Sequence, residues 1–180
     1  FALTHNYTGY PMVKEARRMV RDGDLGRILK IIAEYPQGYA VGDVEGDGQG
    51  KINNWRSDPK IAGISNCMGD IGTHAAHLAE YITGSKISKI CADLNIMVEG
   101  RALDDDGNVL LKFDNGAAGV LMASQVAAGE ENALKIRVYG EKGGIEWAQH
   151  EPNTLLVKWL DQPMQVLRAG ADSLLTGKRG

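Results

Sequence analysis

From Ile87 onward the chain is punctuated by tight-turn signals at short intervals, and that spacing limits the fold more than any other feature. The segments "ISKICADLNIMV", "VLLKF", "AAGVLMASQ", "ALKIRVYG", "GIEW" and "TLLVKWL" are short and rich in aliphatic and β-branched residues. Asn115-Gly116 is a strong hairpin signal because both positions tolerate positive φ, and "EKGG" at 141–144 is a second turn of this kind. Strands joined by so few residues run antiparallel, since a parallel partner needs a crossover of about a dozen residues or more. In the first segment Ile90, Ala92, Leu94, Ile96 and Val98 alternate with mostly polar neighbours, the period of a half-buried strand.

The earlier part of the chain supplies the covering layer. Tyr10 to Asp22 reads as a helix, with Pro11 at its first position, an apolar stripe of Met12, Val13, Ala16, Met19 and Val20, and Gly23 to end it. "GRILKIIAEY" reads as a strand with Leu29, Ile31, Ala33 and Tyr35 on one face and Lys30 and Glu34 on the other. Residues 38–54 carry five glycines and read as a long loop, a length that is often functional. A second helix spans about 70–83 and ends near Gly84. Two helices early and a meander late predict an α+β domain over 1–180: a two-layer, largely antiparallel open-faced β-sheet with helices on one face.

Two helices cover one face of such a sheet, yet several strands are apolar on both. Val120 and Met122 oppose Leu121 and Ala123; Leu155, Val157 and Trp159 oppose Leu156 and Leu160. An uncovered apolar face on that scale normally marks an interface, so the expected assembly is a homo-oligomer, dimer or tetramer, joined through the open face of the sheet.

Composition removes several classes of function. Hydrophobic residues make up 43% and charged residues 24%, as in a folded chain rather than a disordered one. The 20 basic residues are scattered and net charge is −3, so there is no stripe for nucleic acid. Apolar runs fall far short of a membrane span, and nothing near the start has the form of a signal peptide. Two cysteines, Cys67 and Cys91, make neither a disulfide framework nor a metal-type pair, which fits a cytoplasmic protein. The opening "FALTHNY", without methionine, reads as the end of a strand and suggests a piece of a longer protein.

"CMGDIGTHAAHLAEY" (67–81) is the stretch that bears chemistry. At about 100° per residue, Asp70, His74, His77 and Tyr81 share one stripe, beside a core stripe of Ile71, Ala75, Leu78 and Ile82. Alone, Asp70 reads equally as a helix N-cap and His74 as a structural histidine. Their i, i+4 spacing presents a carboxylate and an imidazole to one ligand, an arrangement suited to moving a hydroxyl proton. Gly69, Gly72, Thr73, Ala75 and Ala76 are small enough to let a ligand or another backbone come close. With His77 the same face has a competing reading as three metal ligands in a lyase or isomerase, although no further ligand cluster supports a metal. Trp55 and Arg56 in "NNWRSDP" read either as a core plug and surface ion pair, or as an aromatic wall and a donor for polyol or phosphate oxygens. "GDGQG" (46–50) lacks dinucleotide spacing, and Asp104 to Asp106 read as a solvated turn.

Taken in order, "RDGDLGRI", "WRSDP", "GISNCMGDIGTHAAHLAEYITG", "DDDGNVLLKFDNGAAGVLMASQ" and "IRVYGEKGGIEW" resemble the C-terminal half of the glucose–fructose oxidoreductase/inositol dehydrogenase/rhizopine-catabolism (Gfo/Idh/MocA) family, from about Thr4 to about Trp159. The resemblance implies a dihydrodipicolinate-reductase-like C-terminal domain. It implies that Asp70 holds substrate, that His74 is the acid/base group, and that Arg56 lies near substrate or nicotinamide. It further implies an upstream Rossmann half, absent from this chain, that binds NAD or NADP and lends a lysine to the site. His77 stands where the family often has aspartate. The expected function is therefore the substrate-binding domain of an NAD(P)-dependent sugar or polyol dehydrogenase, with Trp55, Arg56, His77 and Asp70 around the substrate. The alternative is a non-catalytic sugar sensor or scaffold on the same domain.

Overall fold

The computed structural model describes residues 3–42 and 58–170. The predicted loop beyond residue 42, the "GDGQG" piece, Trp55 and Arg56 all lie outside the described residues. Helix α1 (Pro11–Arg21) begins with Pro11 at its first turn and closes with its last carbonyls bonded by Asp22 and Gly23. Strand β1 (Ile28–Pro36) follows, then a four-residue helix α2 (Pro59–Ala62) and helix α3 (Thr73–Thr83). After α3 come β2 (Ile87–Asn95), β3 (Asp106–Phe113), β4 (Ala118–Ser124), β5 (Lys135–Gly140), β6 (Gly143–Ala148), β7 (Thr154–Trp159) and β8 (Gln165–Arg168).

Among the described residues these strands form one sheet in the order β2-β3-β4-β1-β5-β6-β7-β8. The fold is thus the open-faced, largely antiparallel α+β sheet that the turn spacing predicts. Every hairpin predicted from a turn dipeptide is antiparallel, including β3–β4 across Asn115-Gly116 and β5–β6 across 141–142. At the first, Gly116 takes φ 87° and the Asn115 side chain accepts from the Ala117 amide at 2.9 Å. Strand β1 departs from the meander: it inserts between β4 and β5 and runs parallel to β4.

Helix α3 lies over β1, β4 and β5, and α1 packs on α3 and over β6 and β7. The core between them joins Met12, Val13, Ala16 and Met19 of α1 with Ile71, Ala75, Leu78 and Ile82, against Ile31, Leu121, Ile136, Val138, Trp147, Leu155 and Val157 of the sheet. Both predicted helical stripes are therefore core. Burying one such aliphatic side chain contributes about 1.5–3 kcal/mol. Leu29 is the exception on β1: a bulge between Ile28 and Lys30 sends Ile28 inward and leaves Leu29 exposed, contrary to the alternation expected there.

Strand β2 also departs from expectation. It pairs only with β3, at the sheet edge beyond α3, so Ile90 and Leu94 share the inner face with Leu111 and Gly107 and yet remain 67% and 50% exposed. Ile96 and Val98 fall beyond its end at Asn95. The opposite face carries no helix among the described residues. Ile32, Leu110, Val120, Met122, Leu156 and Val166 lie on it, interspersed with the ion pairs Arg137–Glu34 (3.1 Å), Lys135–Glu146 (2.8 Å) and Lys158–Glu146 (2.6 Å). Burial of Glu146 alone would raise its carboxyl pKa, but the two lysine partners outweigh it and hold the group below the ordinary range.

Candidate active site

The segment that starts the third helix is not a plain α-helix. Met68 to Gly72 form a π-helical turn, closed by the Thr73 amide on the Met68 carbonyl. Such turns are uncommon and frequent at functional sites. Its start is capped from the β2–β3 loop: Asp104 Oδ1 accepts from the Asn66 amide (2.9 Å) and Oδ2 from the Met68 amide (2.8 Å). Ser65 Oγ takes the Gly69 amide at 2.9 Å. The C-terminal end is closed by Gly84, whose φ of 68° is the left-handed conformation that glycine adopts freely.

Asp104 and Asp105 are thus not a solvated turn. Asp105 is fully buried; its carboxylate accepts from the Met97 amide (2.7 Å), the Val98 amide (3.1 Å) and Arg101 (2.9 Å), and its carbonyl accepts from the Gln125 amide (2.9 Å). Three elements become legible only together: the β2–β3 loop, the residue after β4, and the π-turn that it caps. Cys67, buried against these carboxylates, has its thiol pKa pushed well above the ordinary value, first by burial and then by Asp104, Asp106, Asp105 and Asp70.

Asp70 and His74 line one cavity of about 250 Å³, together with Leu3, Thr4, His5, Ala62, Ser65, Asn66 and Gly69. The Asp70 carboxylate makes no helix cap; it accepts from Gln125 Nε2 at 3.2 Å. Gln125 in turn accepts from Asn66 Nδ2 at 3.0 Å. His74 Nδ1 is buried without a hydrogen-bond partner among the described residues. Burial lowers the His74 pKa below its ordinary value of 6.5, His5 and His77 add to that, and Asp70 opposes them. The imidazole is therefore held neutral near pH 7, the state in which it takes a proton.

His77 does not line this cavity. Its ring stacks on His5 at 4.3 Å and lies 6.2 Å from Tyr81, while His5 also meets His74 edge-on at 5.1 Å. The His77 pKa is lowered as well, first by burial and then by His5, against the pull of Glu80. Among the described residues no group of three or more His, Cys, Asp or Glu side chains is placed to hold a metal ion. His74 and His77 both lie on α3 (Thr73–Thr83) and both meet the His5 ring, but only His74 lines the cavity with Asp70.

The sequence reading missed His5, Tyr7, Tyr35, Asn66 and Gln125. Tyr7 stands edge-on to His74 at 5.1 Å and its phenol bonds that of Tyr35, which donates to Asn132 Oδ1 at 2.5 Å. Burial and Tyr7 push the Tyr35 pKa far up, so the Tyr35 phenol stays protonated. The polar-aromatic run "THNYTGY" ahead of α1 was the available signal for the first two.

A dinucleotide pyrophosphate needs free amides at a helix N-terminus. The start of the π-turn has already given its amides to the Asp104 carboxylate and to Ser65. That helix start therefore has no free amides to offer a pyrophosphate.

An open-faced sheet with helices on one side and a carboxylate–imidazole cavity at the start of the second long helix defines a two-layer domain of the α+β class. Over residues 13–146 the sequence matches the GFO/IDH/MocA C-terminal domain, and the chain belongs to that family. It is 34% identical over 170 residues to the uncharacterized oxidoreductase YfiI of Bacillus subtilis (strain 168), an alignment covering 93% of this chain and 43% of that protein. An inositol dehydrogenase homologue from Azotobacter vinelandii in complex with NAD+ has a TM-score of 0.87 and 34% identity, covering 98% of this chain and 46% of that one. The structure of an inositol dehydrogenase homologue from the same organism with NADH and myo-inositol gives 0.83 and 31%, with 98% and 45% covered. A levoglucosan dehydrogenase with NADH and levoglucosan gives 0.82 and 27%, with 93% and 46% covered. The chain spans under half the length of each of these proteins. No helix among the described residues is long and apolar enough to cross a membrane.

Proposed function

We propose that this chain is the substrate-binding domain of an NAD(P)-dependent oxidoreductase acting on a secondary alcohol of a sugar or polyol. The observation that carries this reading is the cavity itself: a carboxylate, an imidazole whose Nδ1 has no hydrogen-bond partner among the described residues, and an amide side chain line a space suited to one small hydroxylated ring. The family relatives solved with myo-inositol and levoglucosan support the same substrate class.

In this reading the substrate hydroxyl lies against His74, which takes its proton as the carbinol carbon is oxidised. Asp70 holds the substrate, with its carboxylate steered by Gln125, and also favours the imidazolium once the proton has arrived. Hydride acceptance is the chemistry that a bound nicotinamide supplies. The dinucleotide body would be held by a Rossmann half upstream on the same polypeptide, which would also lend a lysine. The open face of the sheet would join copies into a homo-oligomer.

The test is a substrate screen of the full-length protein by nicotinamide absorbance, with a panel of polyols and sugars. On the accepted substrate, His74→Ala should lower kcat by about 10²–10⁴, the usual worth of a positioned acid/base group, while NAD(P) affinity changes little. Unchanged turnover would remove His74 from the mechanism.

A further inference from the structure

Asn66 is more than nine-tenths buried, it lines the cavity beside Asp70 and His74, and its Oδ1 has no hydrogen-bond partner among the described residues. An unpaired buried carbonyl carries the full cost of its lost hydration, so a partner supplied by a ligand would relieve it.

Which end of this amide is left unpaired follows from charge. An ionised carboxylate only accepts hydrogen bonds, so Gln125 must turn its NH2 group toward Asp70, as the 3.2 Å contact from Nε2 has it. That leaves Gln125 Oε1 toward Asn66, which must answer with its own NH2 group at 3.0 Å. The Asn66 carbonyl is the end left over. Gln125 is fully buried, and its amide is held by Asp105. The Asn66 backbone is held on both sides, its amide by Asp104 Oδ1 (2.9 Å) and its carbonyl by the Asp70 amide (2.8 Å).

We propose that Asn66 is a specificity-determining residue whose Oδ1 accepts a hydrogen bond from a substrate hydroxyl, and that Gln125 is the positioning residue that fixes its direction from the charge on Asp70. This rests on the polyol reading above and deepens it. The cavity then demands a hydroxyl donor besides the alcohol that reacts at His74. A substrate with hydrogen, fluorine or an ether oxygen at that second position leaves the acceptor unpaired.

Binding tests this without turnover. The full-length protein carrying His74→Ala, with NAD+ present, is titrated calorimetrically with myo-inositol and a set of hexoses, each beside its monodeoxy analogues. For the ligand that binds, removal of one particular hydroxyl should weaken binding about tenfold, the worth of roughly 1.4 kcal/mol. In Asn66→Ala on the same background the parent and that analogue should bind alike. Discrimination that survives Asn66→Ala overturns the assignment and leaves the polyol reading standing. Failure of every polyol to bind the parent protein overturns both.

Gln125→Glu gives a second arm that keeps the side-chain shape. Protonated, the new carboxyl still donates to Asp70 and accepts from Asn66; ionised, it repels Asp70 and the chain of bonds breaks. Its pKa will be raised by the neighbouring carboxylate, and Cys67 and Tyr35 stay protonated through the mildly alkaline range. Polyol affinity in Gln125→Glu should therefore weaken as pH rises, whereas the parent stays level. A level profile in Gln125→Glu removes Gln125 from its positioning role.

Discussion

Burial, His5 and His77 all disfavour a charged His74, and Asp70 is the influence that opposes them. The sign of the resulting pH dependence can be worked out. Unfolded, this imidazole titrates near 6.5; folded, it titrates lower, so between the two values the unfolded chain binds more protons. Stability linked to His74 is full above the unfolded value and is lost as pH falls toward the folded one. Thermal melting followed across about pH 5 to 8 should show stability declining on the acid side of that range. His74→Gln should flatten the decline; an unchanged decline would place the effect on His77, whose pKa is lowered too. Alcohol oxidation by the full protein should likewise fade on the acid side of the ordinary imidazole value, as the proton acceptor fills.

Among the elements, the π-turn depends on a residue far from it in sequence. Asp104 supplies both capping bonds at its start and is 7% exposed. Asp104→Ala leaves two amides without their charged acceptor, and the expected cost is about 3 kcal/mol of stability, read by chemical denaturation. Asp104→Asn keeps one acceptor and should lose less. Polyol binding should fall in both, because Asn66 and Asp70 ride on that turn. A loss confined to stability, with affinity intact in the folded fraction, would separate the cap from the site.

For the whole molecule, the face of the sheet opposite the helices is the proposed surface of association. Leu110 and Val166 are 62% and 54% exposed there, beside Ile32, Val120, Met122 and Leu156. Water-facing sheets alternate apolar and polar residues more cleanly. Sedimentation of the chain at micromolar concentration should show a dimer or tetramer burying on the order of 2,000 Å² or more, and Leu110→Glu with Val120→Glu should dissociate it. The ion pairs of Glu34 and Glu146 set limits on the hydrophobic reading of this face. A strict monomer would mean that the face is covered in another way.

Short-range rules carried much of this fold in the sequence alone. Asn115-Gly116, Pro11 and Gly84 each act through φ preferences of one or two residues, so the hairpin, the helix start and the helix end were readable in place. The apolar stripes of α1 and α3 were readable because helical periodicity reports burial directly. The pairing of Asp70 with His74 was legible at the same range. Tertiary structure decided what local rules do not contain. Strand β1 sits between β4 and β5 because strand order is set by which faces must be buried together, not by any residue in β1. Ile90 and Leu94 alternate as core residues do, but among the described residues α3 lies over β1, β4 and β5 rather than over their edge of the sheet. Asp104 and Asp105 read as solvated because the amides that claim them lie in other segments, 36 to 38 residues away for Asp104. His5 joins the cavity, and Gln125 the bonds to Asn66 and Asp70, by the same means, since contacts between distant residues leave no periodic trace in either stretch.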